Sequence, residues 1–157
     1  MNRFQRGVTT VEFAIIGLLM FVVIFGVIEF GRALFVMNTL TEATRRGARL
    51  AAVCPVGDPK PASVAVFDNG SGSSAIVSGL TTANIVVSYL DASGTPVASP
   101  TTPAGFGSIR YVRVSIVGFT LSLIIPTIMP SVPMNGFSTT LPRESLGIPR
   151  VGVVTPC

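Results

Sequence analysis

The chain has no histidine, so Ser-His-Asp, Cys-His and HExxH arrangements are impossible. The run Gly70-Ser71-Gly72-Ser73-Ser74 lacks the lysine of a P-loop and the spacing of a dinucleotide fingerprint. Asp58, Asp68 and Asp91 are scattered among turn-forming residues and read as turn formers rather than metal ligands. Asn69-Gly70-Ser71 is a formal glycosylation acceptor, a motif frequent by chance. The expectation is therefore no catalytic residue, no metal and no cofactor, and enzyme is the class least in keeping with the sequence. One carboxylate stands apart. Glu12 sits at the edge of a long apolar run, where an ionisable group costs about 2.5–3.5 kcal/mol on insertion scales and normally has a partner and a function.

The element that carries this carboxylate reads Arg6-Gly7-Val8-Thr9-Thr10-Val11-Glu12-Phe13, then apolar residues from Ala14 to Ile28, then Glu29-Phe30-Gly31-Arg32. The uncharged stretch Phe13 to Ile28 makes about 24 Å of helix, short of the ~30 Å hydrocarbon core. Extended back to Val8 it reaches about 31 Å and spans, but only with Glu12 drawn into or near the apolar zone. The bland alternative is that Glu12 merely marks the interface.

Gly7, four residues, then Glu12-Phe13 at the head of an apolar helix resembles the cleavage site of prepilin-type signal sequences. The resemblance implies cutting after Gly7 by a membrane aspartyl protease, with Val8 as the new amino terminus and the helix retained as an anchor. It also implies that Glu12 is neutralised by the freed α-amine of a neighbouring subunit during filament packing. Further along, Val27-Ile28-Glu29-Phe30-Gly31-Arg32-Ala33-Leu34, Asn38-Thr39-Leu40 and Ala43-Thr44-Arg45-Arg46-Gly47-Ala48-Arg49 resemble the TadE-like family, minor pilins or pseudopilins of tight-adherence pili. Phe137-Ser138-Thr139-Thr140-Leu141-Pro142-Arg143-Glu144 resembles that family's closing segment, with Pro142 where an ordinary residue is expected.

At 157 residues the chain is one domain plus an anchor. Charged residues make up 11% against a usual quarter, and hydrophobic residues 48%, which fits a membrane segment with a neutral exterior. The net charge of +4 comes largely from Arg3, Arg6, Arg32, Arg45, Arg46 and Arg49; Lys60 is the single lysine. No aromatic residues interleave with these arginines as a base-stacking platform requires, so lipid phosphates and neighbouring helices are the expected counter-charges and nucleic acid is not. Arg3 and Arg6 hold the amino end in the cytoplasm; the larger Arg45–Arg49 cluster belongs to a long translocated region, where the positive-inside rule loses force. No small-x-small pattern follows the apolar run, so an ordinary secretory signal is not indicated. Cys54 and Cys157 suit an oxidising compartment, either bridged or as two free thiols.

The expected fold is α+β: a leader over 1–7, a helix over about 8–53 with its membrane part at about 8–28, and a small antiparallel β-rich extracytoplasmic domain over 54–157. No proline interrupts Val8 to Val53, and Cys54-Pro55 ends the helix. Glu29 can meet Arg32, and Glu42 can meet Arg45 and Arg46, on the helix surface. Ala43, Gly47 and Ala51, spaced by four, form a small-residue ridge suited to close packing, either on the chain's own β-domain or on another subunit. Strands are predicted at Ser63–Phe67, Ala75–Ser78, Ile85–Leu90, Thr95–Ala98, Arg110–Val117 and Phe137–Leu141. Asp91-Ala92-Ser93-Gly94 reads as the hairpin connection between the third and fourth. The apolar run Phe119–Met129 is too short to span a membrane and reads as core or as a patch near the membrane or a partner pilin.

The leading functional reading is a minor pilin or pseudopilin in a bacterial inner membrane, crossing it once, whose partners are other pilin subunits, the pilus assembly platform and a prepilin peptidase, with no small-molecule substrate. The alternatives are a membrane-anchored extracytoplasmic binding domain without a filament role, or a type II secretion pseudopilin.

Overall fold

A computed structural model of the chain describes residues 6–124, 131–148, 153, 154, 156 and 157. The class is α+β, a long amino-terminal helix followed by small antiparallel sheets. Two compact units are present, Met1–Phe35 and Val36–Cys157.

Helix α1, Arg6–Val53, is proline-free throughout and ends one residue before Cys54-Pro55. From Val36 onward one face is buried: Val36, Leu40, Ala43, Thr44, Gly47, Ala48, Ala51 and Ala52 recur at three- and four-residue intervals. The last carbonyls of a helix have no partner within it. Here the chain that follows the final strand supplies them: Glu144 and Leu146 donate their N–H groups to Ala52 O at 3.1 and 3.3 Å, and Gly147 donates to Val53 O at 2.7 Å. Gly147 has φ +78°, and a Cβ there would lie 2.5 Å from Pro55 Cγ, so only glycine fits this closure.

The main sheet runs β1 (Ile85–Leu90), β2 (Tyr111–Ile116) and β5 (Ser138–Pro142) in the order β1-β2-β5, antiparallel throughout. Val114 lies opposite Val87 and Thr139, and Val112 opposite Tyr89 and Leu141. Val112, Val114 and Ile116 are buried while Tyr111 and Arg113 are exposed, the alternation read from the sequence. A second, two-stranded sheet pairs β3 (Thr120–Ser122) with β4 (Ser131–Pro133). In the apolar run that begins at Phe119, Phe119 and Leu121 are core and Ile124 is exposed; positions 125–129 lie outside the described residues.

Three predicted strands are corrected. Ser63–Phe67 is not a strand: most of it belongs to α2, Lys60–Ala65, which Asp58 starts by accepting the Lys60 N–H at 2.8 Å and in which Pro61 is pre-set for the first turn. Ala75–Ser78 is a bend, because Ser74 Oγ accepts the N–H groups of Ile76 and Val77 at 3.2 and 3.1 Å and so draws them out of any ladder. Thr95–Ala98 shrinks to one bridge, Leu90 with Pro96, since a proline offers no N–H to extend it. One further helix, α3 (Pro103–Ser108), was not anticipated; Thr102 Oγ1 accepts the Gly105 N–H at 3.2 Å with Pro at the first turn.

Candidate functional site

The amino-terminal half of α1 is a helix without a core. From Val8 to Ile28 its large apolar side chains are all exposed; Val8 is 66% and Phe13 77% accessible. This helix is long and apolar enough to cross a membrane, with a mean hydropathy of 2.8 in its most apolar window. Glu12 lies on this apolar surface, exposed, and forms no ion pair among the described residues. The Gly7–Val8 peptide bond falls in the first turn, where backbone N–H groups lack intrahelical acceptors. Arg3 lies outside the described residues.

At the far end of the apolar stretch Glu29 and Arg32 pair with each other, Arg32 Nε donating to Glu29 Oε1 at 3.1 Å and Nη2 closing a second, shorter contact to the same oxygen. A carboxylate and a guanidinium one turn apart thus leave this end of the segment neutral. The pairing read for Glu42 does not form: among the described residues Glu42 has no ion pair, and Arg46 instead lies over the Phe67 ring, 4.7 Å from its centroid. An exposed i,i+4 ion pair is worth only a few tenths of a kcal/mol, which a cation–π contact matches or exceeds.

Ala43, Gly47 and Ala51 are buried within the second unit, and Gly47 faces the chain's own α2 and β2. A Cβ on Gly47 would lie 2.9 Å from Ala65 Cβ, 3.2 Å from Val114 Cγ1 and 3.3 Å from Pro61 O. Beside them Thr44, 1% accessible, donates to Thr41 O and shares a 2.9 Å hydroxyl–hydroxyl hydrogen bond with Thr139 on β5. The glycine's role can be measured. Gly47→Val is expected to lower the stability of this unit by about 1–3 kcal/mol through overpacking, outweighing the ~1 kcal/mol that glycine costs a helix. A urea midpoint equal to the parent's at unchanged slope would show that the contact is slack.

Cys54 and Cys157 form a disulfide, Cα–Cα 5.7 Å, joining positions 103 apart. The bridge is flanked by polar ties: Asp58 Oδ2 accepts the Cys157 N–H at 3.1 Å, and the Tyr89 hydroxyl oxygen accepts the Gly57 N–H at 3.4 Å. Burial pushes the Tyr89 phenol above its ordinary range; the Gly57 hydrogen bond opposes this and the Asp58 charge adds to it. Asp91, closing the turn after β1, accepts from Ser93 Oγ, Ser93 N and Thr95 N at 2.6–2.9 Å, and these hydrogen bonds, the Ser93 hydroxyl first, hold its carboxyl below the usual range.

A cleft of about 230 Å³ between the end of α1 and β5 is lined by Arg49, Ala52, Val53, Leu141, Pro142 and Glu144. No cluster of three His, Cys, Asp or Glu able to hold a metal occurs among the described residues. Residues 7–49 match the family model described as TadE-like protein. The matched span takes in Gly7, Glu12, Glu29, Arg32, Ala43 and Gly47, and leaves Ala51, both cysteines and the sheets beyond it. No curated protein and no solved structure matches the chain.

Proposed function

We propose that this chain, TadE-like along its amino-terminal helix, is a minor pilin or pseudopilin: a non-enzymatic structural subunit for assembly of a tight-adherence pilus. The family match over 7–49 and the exposed apolar helix support a Tad-pilus-associated membrane protein anchored by a single span. The finer reading rests on one observation, a Glu12 on the apolar surface five residues beyond Gly7 with no ion pair among the described residues. Prepilin peptidase cuts between Gly7 and Val8, and the freed α-amine of one subunit neutralises Glu12 of another as the helices leave lipid for the filament. The amino end lies in the cytoplasm, the Val36–Cys157 unit lies outside the inner membrane, and other pilins and the assembly platform are the partners.

The test is intact mass and amino-terminal sequence of the protein from membranes of cells with and without the peptidase. The expected result is a start at Val8 that reverts to Met1 when the peptidase is missing. A Met1 start in both strains removes the pilin reading and leaves a membrane-tethered domain.

A further inference from the structure

An asparagine followed by glycine can cyclise on itself: the glycine nitrogen attacks the side-chain carboxamide, and the missing Cβ leaves that approach open. The chain holds two such pairs, Asn69-Gly70 and Asn135-Gly136. All four residues are exposed, and both glycines have positive φ, +107° and +89°. Their surroundings differ. Asp68 Oδ1 accepts the N–H of Gly70 at 2.9 Å, together with those of Ser71 and Gly72 at 2.8 and 2.9 Å. Ser71 Oγ donates to Asn69 Oδ1 at 3.2 Å. No side-chain hydrogen bond reaches Asn135 or Gly136 among the described residues.

We propose that Asn69 is a self-modification site, converted to aspartate and isoaspartate with Asp68 and Ser71 as the assisting groups. The Gly70 nitrogen forms a bond to Asn69 Cγ while its proton passes to the Asp68 carboxylate, the acceptor it already faces. The Ser71 hydroxyl stabilises the negative charge that develops on Asn69 Oδ1. The tetrahedral centre then collapses: the Cγ–Nδ2 bond breaks, the proton held by Asp68 goes to the departing nitrogen, and ammonia leaves. One water opens the resulting succinimide at either carbonyl, giving aspartate or isoaspartate, with no oxidant or reductant involved.

The product reshapes the loop. Isoaspartate inserts a methylene into the main chain and adds a carboxylate beside Asp68, inside the fan of N–H groups that closes residues 68–74 and their bridge from Asp68 to Ser74. The adjoining Phe67, itself at φ +56°, carries the Arg46 guanidinium on its ring.

Asn135-Gly136 is an internal control for the experiment. The full-length protein in detergent micelles is incubated at neutral pH and peptide-mapped over time by mass spectrometry, with isoaspartate identified by fragmentation. Asn69 is expected to convert roughly tenfold faster than Asn135, a modest share of what a positioned base contributes. Asp68→Asn, which keeps an acceptor but not the base, and Ser71→Ala should each bring the Asn69 rate down toward that of Asn135 and leave Asn135 unchanged. Equal rates at the two sites, conversion at Asn135 alone, or faster conversion in Asp68→Asn would overturn the proposal. Ser71→Ala carries the test should Asp68→Asn disorder the loop.

Discussion

Glu12→Gln is expected to abolish filament assembly while the protein still inserts into the membrane, and inserts at least as well as the parent. Both effects follow from where the charge sits. Glu12 is exposed on a helix whose other large side chains from Val8 to Ile28 are apolar and exposed, and it has no intramolecular counter-ion among the described residues. In lipid such a group is a burden, up to about 2.5–3.5 kcal/mol at the bilayer centre and less toward an end. Removing it is therefore expected to leave insertion intact or improve it. Glu29 is the useful contrast, because its neighbour Arg32 already neutralises it. A carboxylate with no ion pair among the described residues is open to a partner on another chain, as the proposed pilin role requires. If that partner is the amine freed at Val8, Glu12→Gln leaves the amine unmatched inside a packed bundle, a penalty of the kind that breaking one half of a buried charge pair brings, about 3–5 kcal/mol. Carbonate extraction reads insertion and sheared-filament yield reads assembly. Normal filaments from Glu12→Gln would sink the pilin reading and favour a plain anchor. Loss of both insertion and assembly would instead mean that the residue serves the fold.

What the sequence made legible follows the range of the forces involved. Helix α1 was readable because its signals are local: no proline, an unbroken apolar run, and Cys54-Pro55 as a stop. Strand β2 was readable from the alternation in Tyr111-Val112-Arg113-Val114-Ser115-Ile116, and β1 and β5 from runs rich in β-branched and aromatic residues. The misreadings came where short polar side chains decide the backbone. Ser63-Val64-Ala65-Val66-Phe67 is apolar enough for a strand, yet Asp58 and the prolines upstream start a helix, and the side of α2 bearing Pro61 and Ala65 is then buried against α1. The start of α3 has a local signal, the Thr102 hydroxyl cap followed by Pro103 in the first turn. The long-range features had no local trace. The Ala43-Gly47-Ala51 ridge suited two kinds of neighbour equally, and only the tertiary structure places Ala65 and Val114 against Gly47. That Glu144, Leu146 and Gly147 would satisfy the end of α1, more than ninety positions earlier, was likewise beyond the sequence. Through this closure the segment after β5 finishes the helix.

The disulfide should carry the second large effect, and it acts on the same end of the helix. Replacing both cysteines, Cys54→Ala with Cys157→Ser, is expected to destabilise the Val36–Cys157 unit by about 2–4 kcal/mol. The bridge closes a separation of 103 positions, for which the chain-entropy account sets a ceiling near ~4.7 kcal/mol and practice usually returns less. Part of the native arrangement survives without it. Asp58 still accepts the Cys157 backbone N–H, and the N–H groups of 144–147 still reach the carbonyls of Ala52 and Val53. These ties keep the folded state nearly as it is, so the loss appears in the unfolded chain, which gains freedom it did not have. The expected signature is therefore a lower urea midpoint with a slope that stays the same or rises, since an uncrosslinked chain exposes more surface on unfolding. Helix content by circular dichroism should be unchanged in the folded baseline. A loss of unfolding free energy under about 0.5 kcal/mol, the scale of ordinary surface substitutions, would mean that the bridge adds little to what Asp58 and the closing segment already hold. A double variant that folds but loses its helical signal beyond Val36 would instead show that the bridge fixes the native state itself.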